Sequence, residues 1–351
     1  MRCIGLILVG FWSWWAPVFA ADVQVVGTTS YDSNVYEALR DAQGGLTSRV
    51  SVTAKGLGYR GSKSAVQIEQ QAGFKHIWAT APGQMQAGDV FVEQFFVNGL
   101  RSIGQKSTVA IRSGLKFKQA TRAPGEESYL RAVVDGDLTV PFGLGMASRL
   151  RLGLGGDDSR DVLLPETTYH TAGIDLTYSR KRHFSAHARF LKRWTDFDRA
   201  ALDLDDLDQI VPLKGQQVDR ATSLTLGFQV FTGMLIQADY VLLRNQSNSF
   251  GYAFWAHRLQ GMVVRHLGRG VDAQVLAQFH VRLYDEKVPD LFGRAAETDA
   301  YEQSIAILKL SRQISAKHVL AGQYGFYRNG AREGDGFYRK HVFSLMFEVE
   351  M

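Results

Sequence analysis

Arginine and lysine residues recur at every second or fourth position in several stretches of this chain. Arg149 and Arg151 are two residues apart, and Arg112 and Lys116 are four apart. In an extended strand this spacing places the side chains on one face, because successive residues point to opposite sides. A wall of such cations raises the local concentration of anions, so the predicted chemistry is the binding and passage of anionic solutes. The basic candidates are Arg112, Lys116, Arg131, Arg149, Arg151, Arg189, Arg193 and Arg282.

Acidic residues share the same predicted face, among them Asp135, Asp137, Asp175 and Asp239. Counted in this way, cations outnumber anions by about two to one. Arginine and aspartate side chains on neighbouring strands can also pair with each other and merely stiffen the wall. An anion-selective wall and a wall of ion pairs therefore both stay open.

The segment 196–218 is the longest predicted loop, and it carries Asp203, Asp205, Asp206 and Asp208. One hypothesis folds this loop into a pore, where its carboxylates would face the basic wall and form a constriction. The alternative is a solvated surface loop, with or without a short helix. The segment lacks the Asp-x-Asp-x-Asp-Gly pattern of a calcium loop, and neither a metal nor a cofactor is predicted.

The side chains named above need an alternating scaffold, and the end of the chain shows one clearly. Phe343, Leu345, Phe347 and Val349 occupy odd positions, while polar residues such as Ser344 fall between them. One face of this strand is apolar and the other is polar. No apolar run after residue 21 is long enough for a membrane helix, so any membrane crossing must use strands.

Connections between the predicted strands follow a strict rhythm, in which seven short joints alternate with eight longer ones. Outer-membrane barrels have this asymmetry, with short periplasmic turns and long extracellular loops. The predicted strands lie at 22–31, 46–59, 64–77, 90–101, 106–118, 128–141, 146–154, 168–178, 183–195, 219–231, 234–244, 251–266, 271–285, 298–313, 318–328 and 337–351.

The predicted fold is all-β: one antiparallel transmembrane up-and-down β-barrel of about sixteen strands, with fourteen as the alternative count. A soluble β-sandwich or propeller also alternates. Its strands are usually shorter, however, and its joints need not alternate in length.

The first twenty residues have the pattern of a secretory signal. Arg2 precedes an apolar stretch, and Val18-Phe19-Ala20 forms a small-residue cleavage site. We expect a cleaved signal peptide at 1–20 and one barrel domain at 21–351. An N-terminal membrane anchor is the alternative, although Pro17 ends a run that is short for a span. The only cysteine, Cys3, lies in this segment. The formal net charge of +5 is too mild to indicate nucleic-acid binding.

Catalytic patterns are weak in this sequence. His187 and Ser185 share the polar face of one predicted strand, but their Cα atoms would be about 6–7 Å apart. The sequence has no Gly-x-Ser-x-Gly and no His-Glu-x-x-His motif. The prediction is that the chain is not an enzyme.

Two short segments resemble known families. The final strand looks like the carboxy-terminal signal that the barrel-assembly machinery reads in outer-membrane proteins, although Met351 stands where that signal has an aromatic residue. The segment Tyr31–Val35, Tyr-Asp-Ser-Asn-Val, resembles the opening of β-barrel porins of the porin-2 type. Related barrels accompany exopolysaccharide export or lipoprotein display. Asp32 and Asn34 would also favour an Asx-type turn at this position.

The predicted function is a porin-like channel in the bacterial outer membrane for passive diffusion of small anionic or sugar-like solutes. The alternatives are an export conduit for an exopolysaccharide and a structural or adhesive barrel with a plugged lumen. Expected partners are outer-membrane lipid, lipopolysaccharide, the barrel-assembly machinery and the solute or polysaccharide itself. A homo-oligomer stays open, because lipid-facing and subunit-facing walls are both apolar.

Overall fold

The structure is a computed structural model, and it describes residues 21–34, 44–78, 88–104, 106–121, 128–159, 165–180, 183–205, 209–286, 304–328 and 338–351. All regular secondary structure in these ranges is β-strand. The strands are β1 (Ala21–Asp32), β2 (Gly45–Arg60), β3 (Ser64–Ile77), β4 (Gly88–Ile103), β5 (Ser107–Thr121), β6 (Tyr129–Gly143), β7 (Met146–Ser159), β8 (Thr167–Arg180), β9 (Phe184–Leu204), β10 (Ile210–Phe231), β11 (Met234–Ser247), β12 (Phe254–Gly268), β13 (Val271–Tyr284), β14 (Ser304–Ser315), β15 (His318–Arg328) and β16 (Arg339–Glu350).

The sixteen strands form one closed antiparallel barrel in which each strand pairs with its neighbours in the sequence. The closing pair joins β1 to β16, with Gln24 opposite Glu350 and Asp32 opposite Val342. Closure removes the free edges that would leave backbone groups unpaired in lipid. The predicted transmembrane up-and-down barrel is therefore confirmed, including its sixteen strands. The described residues contain no helix that is long and apolar enough to cross a membrane.

The outer and inner faces of the barrel differ as the alternation predicts. In β7, Leu150, Leu152 and Leu154 are 49%, 59% and 54% exposed on the outer face. Arg149 and Arg151 alternate with them on the inner face. Residues that are opposite each other in register share a face, so one strand assigns the faces of its neighbours. The outer wall is apolar and the lumen is polar.

Short turns connect the strands at one end of the barrel, and two of them place three successive residues in the left-handed backbone region. Gly143, Leu144 and Gly145 have φ angles of 95°, 53° and 79° between β6 and β7. A Cβ at Gly145 would collide with the carbonyl oxygen of Ser179, so the position requires glycine. The turn between β12 and β13 repeats this backbone at 268–270. We call this end the short-turn end and the opposite end the long-loop end.

The predicted loop at 196–218 is wrong as a loop, because β9 and β10 continue through most of it as a β-hairpin. Ile210 lies opposite Leu204, and Gln216 lies opposite Ala200. The register shifts between Pro212 and Gln216, which marks a bulge in β10. The parts 198–205 and 209–216 extend beyond β8 and β11 at the long-loop end, and we call them the rim hairpin.

Some predictions fall outside the described residues. These are the signal peptide at 1–20, the first part of the predicted strand 298–313, and two of the four candidate aspartates, Asp206 and Asp208.

Candidate functional site, a charged lumenal wall

The inner face of β5–β9 concentrates the basic candidates. Register pairs place Arg112 opposite Asp135, Lys116 opposite Arg131, and Arg151 opposite Asp137. All eight candidates lie on the inner face, and seven of them belong to β5–β9. The remaining one, Arg282, lies on β13. That these residues line an open pore stays a prediction.

A carboxylate between two arginines forms the centre of this wall. Asp175 is only 4% exposed. Arg189 Nε donates to its Oδ1 at 2.7 Å, and Arg151 Nη2 lies 2.7 Å from its Oδ2. Arg151 Nε also lies 3.6 Å from Asp137 Oδ1. The four side chains connect β6, β7, β8 and β9, so this part of the wall is a cross-strand ion-pair network.

A second basic group lies around the ring of Tyr129 near the long-loop end. Arg131 Nη2 donates to Asp157 Oδ2 at 3.0 Å. Lys116 Nζ and Lys118 Nζ lie 5.2 Å and 5.8 Å from the centre of the Tyr129 ring. The aromatic face attracts the cations and orients them along the wall.

Three other arginines stack on aromatic rings. The guanidinium carbon of Arg112 lies 4.0 Å from the centre of the Phe96 ring, and that of Arg193 lies 4.0 Å from the Tyr169 ring. Arg282 lies 4.2 Å from the Phe254 ring and donates to Tyr284 Oη at 2.8 Å. Stacking leaves the edges of a guanidinium available to hydrogen-bond an anion.

Glycines on the inner face let these rings lie flat against the wall. A Cβ at Gly114 would collide with the Phe96 ring. A Cβ at Gly155 would lie 2.5 Å from atoms of the Tyr169 ring. The rings occupy the space that side chains at these glycines would take, so Arg112 and Arg193 are held beside the wall.

Arg149 differs from the arginines described so far. It is solvent-exposed, and it makes no ion pair or hydrogen bond with other described residues. Its charge is therefore free to act on a solute in the lumen.

The ratio of cations to anions on the inner face is lower than two to one. Further inward cations are Arg199, Arg258, Lys309 and Lys340, and further inward acids are Asp22, Asp32, Asp157, Asp219, Glu348 and Glu350. β6–β9 carry ion pairs and also Arg149, which makes no ion pair with other described residues, so both initial interpretations stay open.

The rim hairpin leans on the connection between β11 and β12. Leu202 N donates to Ser249 Oγ at 2.9 Å, and Phe250 N donates to Leu202 O at 2.7 Å. The guanidinium of inward-facing Arg199 lies 4.7 Å from the Tyr252 ring. β10 runs between β9 and β11, so this contact passes over β10 on the lumenal side, and the hairpin leans inward over the mouth.

The candidate aspartates of the rim hairpin serve the turn itself. Asp203 Oδ1 accepts a hydrogen bond from Leu204 N, and Asp205 Oδ1 accepts one from Gln209 N at 2.8 Å. These local bonds are typical of aspartate in turns. The constriction by Asp203, Asp205, Asp206 and Asp208 stays a prediction.

The sequence reasoning missed the aromatic partners of the basic wall. Phe96, Tyr129 and Tyr169 are on different strands from most of the cations that they contact, so only the register brings them together. One signal for these partners was present in the sequence: apolar residues occur on both faces of β4, so some of them had to face the lumen. Phe96 is one of these, and its ring covers Gly114.

Comparisons with known proteins show the fold. No family model and no curated protein matches this chain. OccAB1 of Acinetobacter baumannii has a TM-score of 0.51 at 10% identity, over 94% of this chain and 97% of that one. In-vitro folded OmpT, an outer membrane protein of Vibrio cholerae, has a TM-score of 0.50 at 7% identity, over 94% and 97%. A deletion mutant of TodX, a monoaromatic hydrocarbon channel, has a TM-score of 0.44 at 8% identity, over 94% and 89%.

The prediction that the chain is not an enzyme is corrected. In-vitro folded OmpT of Vibrio cholerae is among the similar structures at 7% identity, and a fold shared at this level neither assigns nor removes a catalytic activity. The sequence argument also considered His187 and Ser185 along one strand only. The closed barrel brings His187 of β9 to 3.3 Å from Asp239 of β11. The exclusion of catalysis is withdrawn.

The resemblance at Tyr31–Val35 is confirmed only at the level of the fold. Asn34 N donates to Asp32 Oδ1 at 2.8 Å, which is the Asx-type turn expected of these residues. Asn34 is 1% exposed, so the motif has a structural role at the end of β1. The porin-2 type is not confirmed, and the chain is a sixteen-stranded barrel of the outer-membrane kind.

Proposed function

We propose that the chain is a channel of the bacterial outer membrane through which small solutes diffuse, with a preference for anionic or sugar-like ones. The observation that carries this proposal is the inner wall of β5–β9. Its arginines are stacked on rings or paired with carboxylates along the wall, and Arg149 is left exposed between them. Side chains held along the wall in this way support a lumen that is open to water and solute.

The size of the barrel supports the same proposal. Eight strands enclose a space that side chains fill, whereas sixteen strands are enough for an aqueous channel. In a channel, a wall that carries cations attracts anions and delays cations of similar size. The cation–ring groups at Tyr129 and Tyr169 would suit a sugar or a carboxylate, because they combine an apolar face with hydrogen-bond donors.

Location and partners belong to the same proposal. The alternation of the last strand supports recognition by the barrel-assembly machinery, and residues 1–20 would direct export. The apolar outer wall would contact outer-membrane lipid, and its long-loop end would meet lipopolysaccharide. The short-turn end would face the periplasm.

The competing proposal is an export conduit for an exopolysaccharide. It rests on the segment Tyr31–Val35, whose Asp32 and Asn34 form the turn after β1. The turn accounts for the presence of these residues, so the segment does not require a role in polysaccharide export. The porin-like proposal is therefore preferred, and the plugged structural or adhesive barrel is an outcome of the test below.

Planar-bilayer recording of the purified, refolded full chain tests the proposal. We expect a steady single-channel current and, in asymmetric potassium chloride, a reversal potential of the sign that anion preference gives. A barrel that passes no steady current would overturn the channel and support a plugged barrel. A current with cation preference would leave the channel but remove the anionic solutes.

A further inference from the structure

We propose that the outer face of β1–β4, around Gln70 and Glu93, is the surface through which this chain binds a second copy of itself. This inference concerns the outer wall, and it depends on membrane insertion but not on the channel function. The observation behind it is a hydrogen-bonded polar pair, away from the strand ends, on a wall whose outward side chains are mostly apolar.

Glu93 points outward from the middle of β4. Along this strand the outward side chains are Phe91, Glu93, Phe95 and Val97, and the inward ones include Val92 and Gln94. In register, Glu93 lies opposite Phe117 of β5 and Ala72 of β3, which are also outward. Glu93 is five residues from one end of β4 (88 to 93) and ten from the other (93 to 103). Aromatic rings therefore lie above and below the carboxylate.

Gln70 of β3 is the hydrogen-bond partner of this carboxylate. Gln70 Nε2 donates to Glu93 Oε1 at 3.0 Å, and both side chains are half-buried. Neither residue makes a further hydrogen bond with the rest of the described chain. A carboxylate oxygen and part of an amide therefore face outward without a partner, which hydrocarbon lipid cannot supply.

Other outward charged groups have separate explanations. Lys192 of β9 faces outward on the opposite wall, where its Nζ lies 5.2 Å from the centre of the Trp194 ring and its long side chain can carry the ammonium toward the membrane interface. The charged groups beside the Gln70–Glu93 pair lie nearer the strand ends. His76 Nδ1 lies 2.7 Å from Asp89 Oδ1 close to the long-loop end of β3 and β4. At such depths the membrane interface and water can solvate polar groups, and aromatic and polar residues are common there. Gln70 lies six residues from one end of β3 (64 to 70) and seven from the other (70 to 77), so this explanation does not apply to it.

A second, independent observation is the size of the neighbouring outward residues. Next to the pair, β1–β3 present Val23, Val25, Gly27, Ala54 and Ala72. On the opposite side of the barrel, most outward positions of β7–β10 carry large exposed side chains such as Leu152, Ile174 and Phe190, and alanine occurs at Ala172, Ala186 and Ala188. Small residues let two protein backbones approach closely in a membrane, whereas large flexible ones suit contact with lipid.

A second copy fits this surface because copies in one membrane are related by an axis along the membrane normal. Each copy then presents Gln70 and Glu93 at the same depth. The pair contains both a donor and an acceptor, so it can satisfy the same pair on a neighbouring copy, and the small residues around it allow that approach.

Contact with lipid can be measured at two alanines that are both half-buried. Ala54 on β2, opposite Gln70, and Ala188 on β9 are both outward, and β9 lies seven strands away around the wall. Each alanine is changed to cysteine in a chain without Cys3, and the cysteine is labelled with a bimane fluorophore. The labelled chain is placed in vesicles that contain brominated lipid. Bromine quenches the fluorophore only on contact, so quenching reports whether the labelled position touches lipid. Copy number is measured separately by native mass spectrometry of the full mature chain in detergent.

We expect an oligomer in which the label at Ala54 is quenched much less than the label at Ala188. In this background, Glu93→Leu should convert the oligomer to a monomer and raise quenching at Ala54 to the level at Ala188. Thr222→Leu, on the outer face of β10, should change neither readout. A monomeric parent chain, or equal quenching at the two positions, would overturn the inference. Heat-modifiable mobility on gels verifies that each variant forms a barrel.

Discussion

His187 Nε2 lies 3.3 Å from Asp239 Oδ1, although the two residues belong to β9 and β11 and β10 runs between them. Gly227 of β10 makes this contact possible, because it lies opposite both residues in register. A Cβ at Gly227 would collide with Asp239 Oδ1 and with the His187 ring. Gly114 and Gly155 also leave space on the inner face, which a ring from the adjacent strand occupies in each case.

Gly227→Ala is therefore expected to lower the free energy of unfolding by about 1–3 kcal/mol, the usual cost of overpacking a filled site. The added methyl group must push His187 and Asp239 apart. Urea unfolding in lipid vesicles, followed by tryptophan fluorescence, measures the change. Gly322→Ala is the matched control, because a Cβ at that outward glycine meets nothing within 4 Å. Equal losses for the two variants would contradict the role of Gly227.

Arg149→Gln should shift the reversal potential toward cation preference and leave the stability of the barrel within about 0.5 kcal/mol of the parent. The reason is that Arg149 is exposed on the inner face and makes no ion pair with other described residues. Arg312→Gln, an exposed outward position on β14, removes the same charge outside the lumen. If both variants shift the reversal potential equally, Arg149 does not act on ions in the lumen.

The strands themselves were predictable because one rule, alternation, repeats along almost the whole chain. The bounds 64–77 and 318–328 agree exactly with β3 and β15. Every residue assigned to the lumen by alternation lies on the inner face, since register carries the assignment from strand to strand.

The rim hairpin was missed although its sequence alternates. Leu202 and Leu204 alternate with Asp203 and Asp205, but aspartate is rare in strands and the run resembles a loop. The contacts of the candidate site were not predictable either. Asp157, Tyr169 and Phe96 meet their arginines only through the register of neighbouring strands, which a single sequence does not contain.

Asp175→Asn should lower the free energy of unfolding by about 1.5–3 kcal/mol, the range for hydrogen bonds to charged groups. Asp175 is 4% exposed and forms ion pairs with both Arg151 and Arg189. Without its charge, the two guanidinium groups share one carboxylate, that of Asp137, which lies 3.6 Å from Arg151. Asp272→Asn is the matched control. Its side chain is 52% exposed and pairs only with exposed His266 among the described residues, so the loss should be below about 1 kcal/mol. A smaller loss at Asp175 than at Asp272 would show that the network does not stabilise the wall.

Deletion of 200–210 should increase single-channel conductance, because the rim hairpin leans over the mouth of the lumen. The contacts that hold it there are Phe250 N to Leu202 O and the stacking of Arg199 on Tyr252. Conductance depends on the narrowest cross-section and on its charge, and one further variant separates these causes. Asp203→Asn removes one hairpin charge without shortening the chain, so a conductance change of equal size in this variant would assign the effect to charge. Unchanged conductance after the deletion would show that the hairpin stands clear of the ion path, and the predicted constriction would then be wrong.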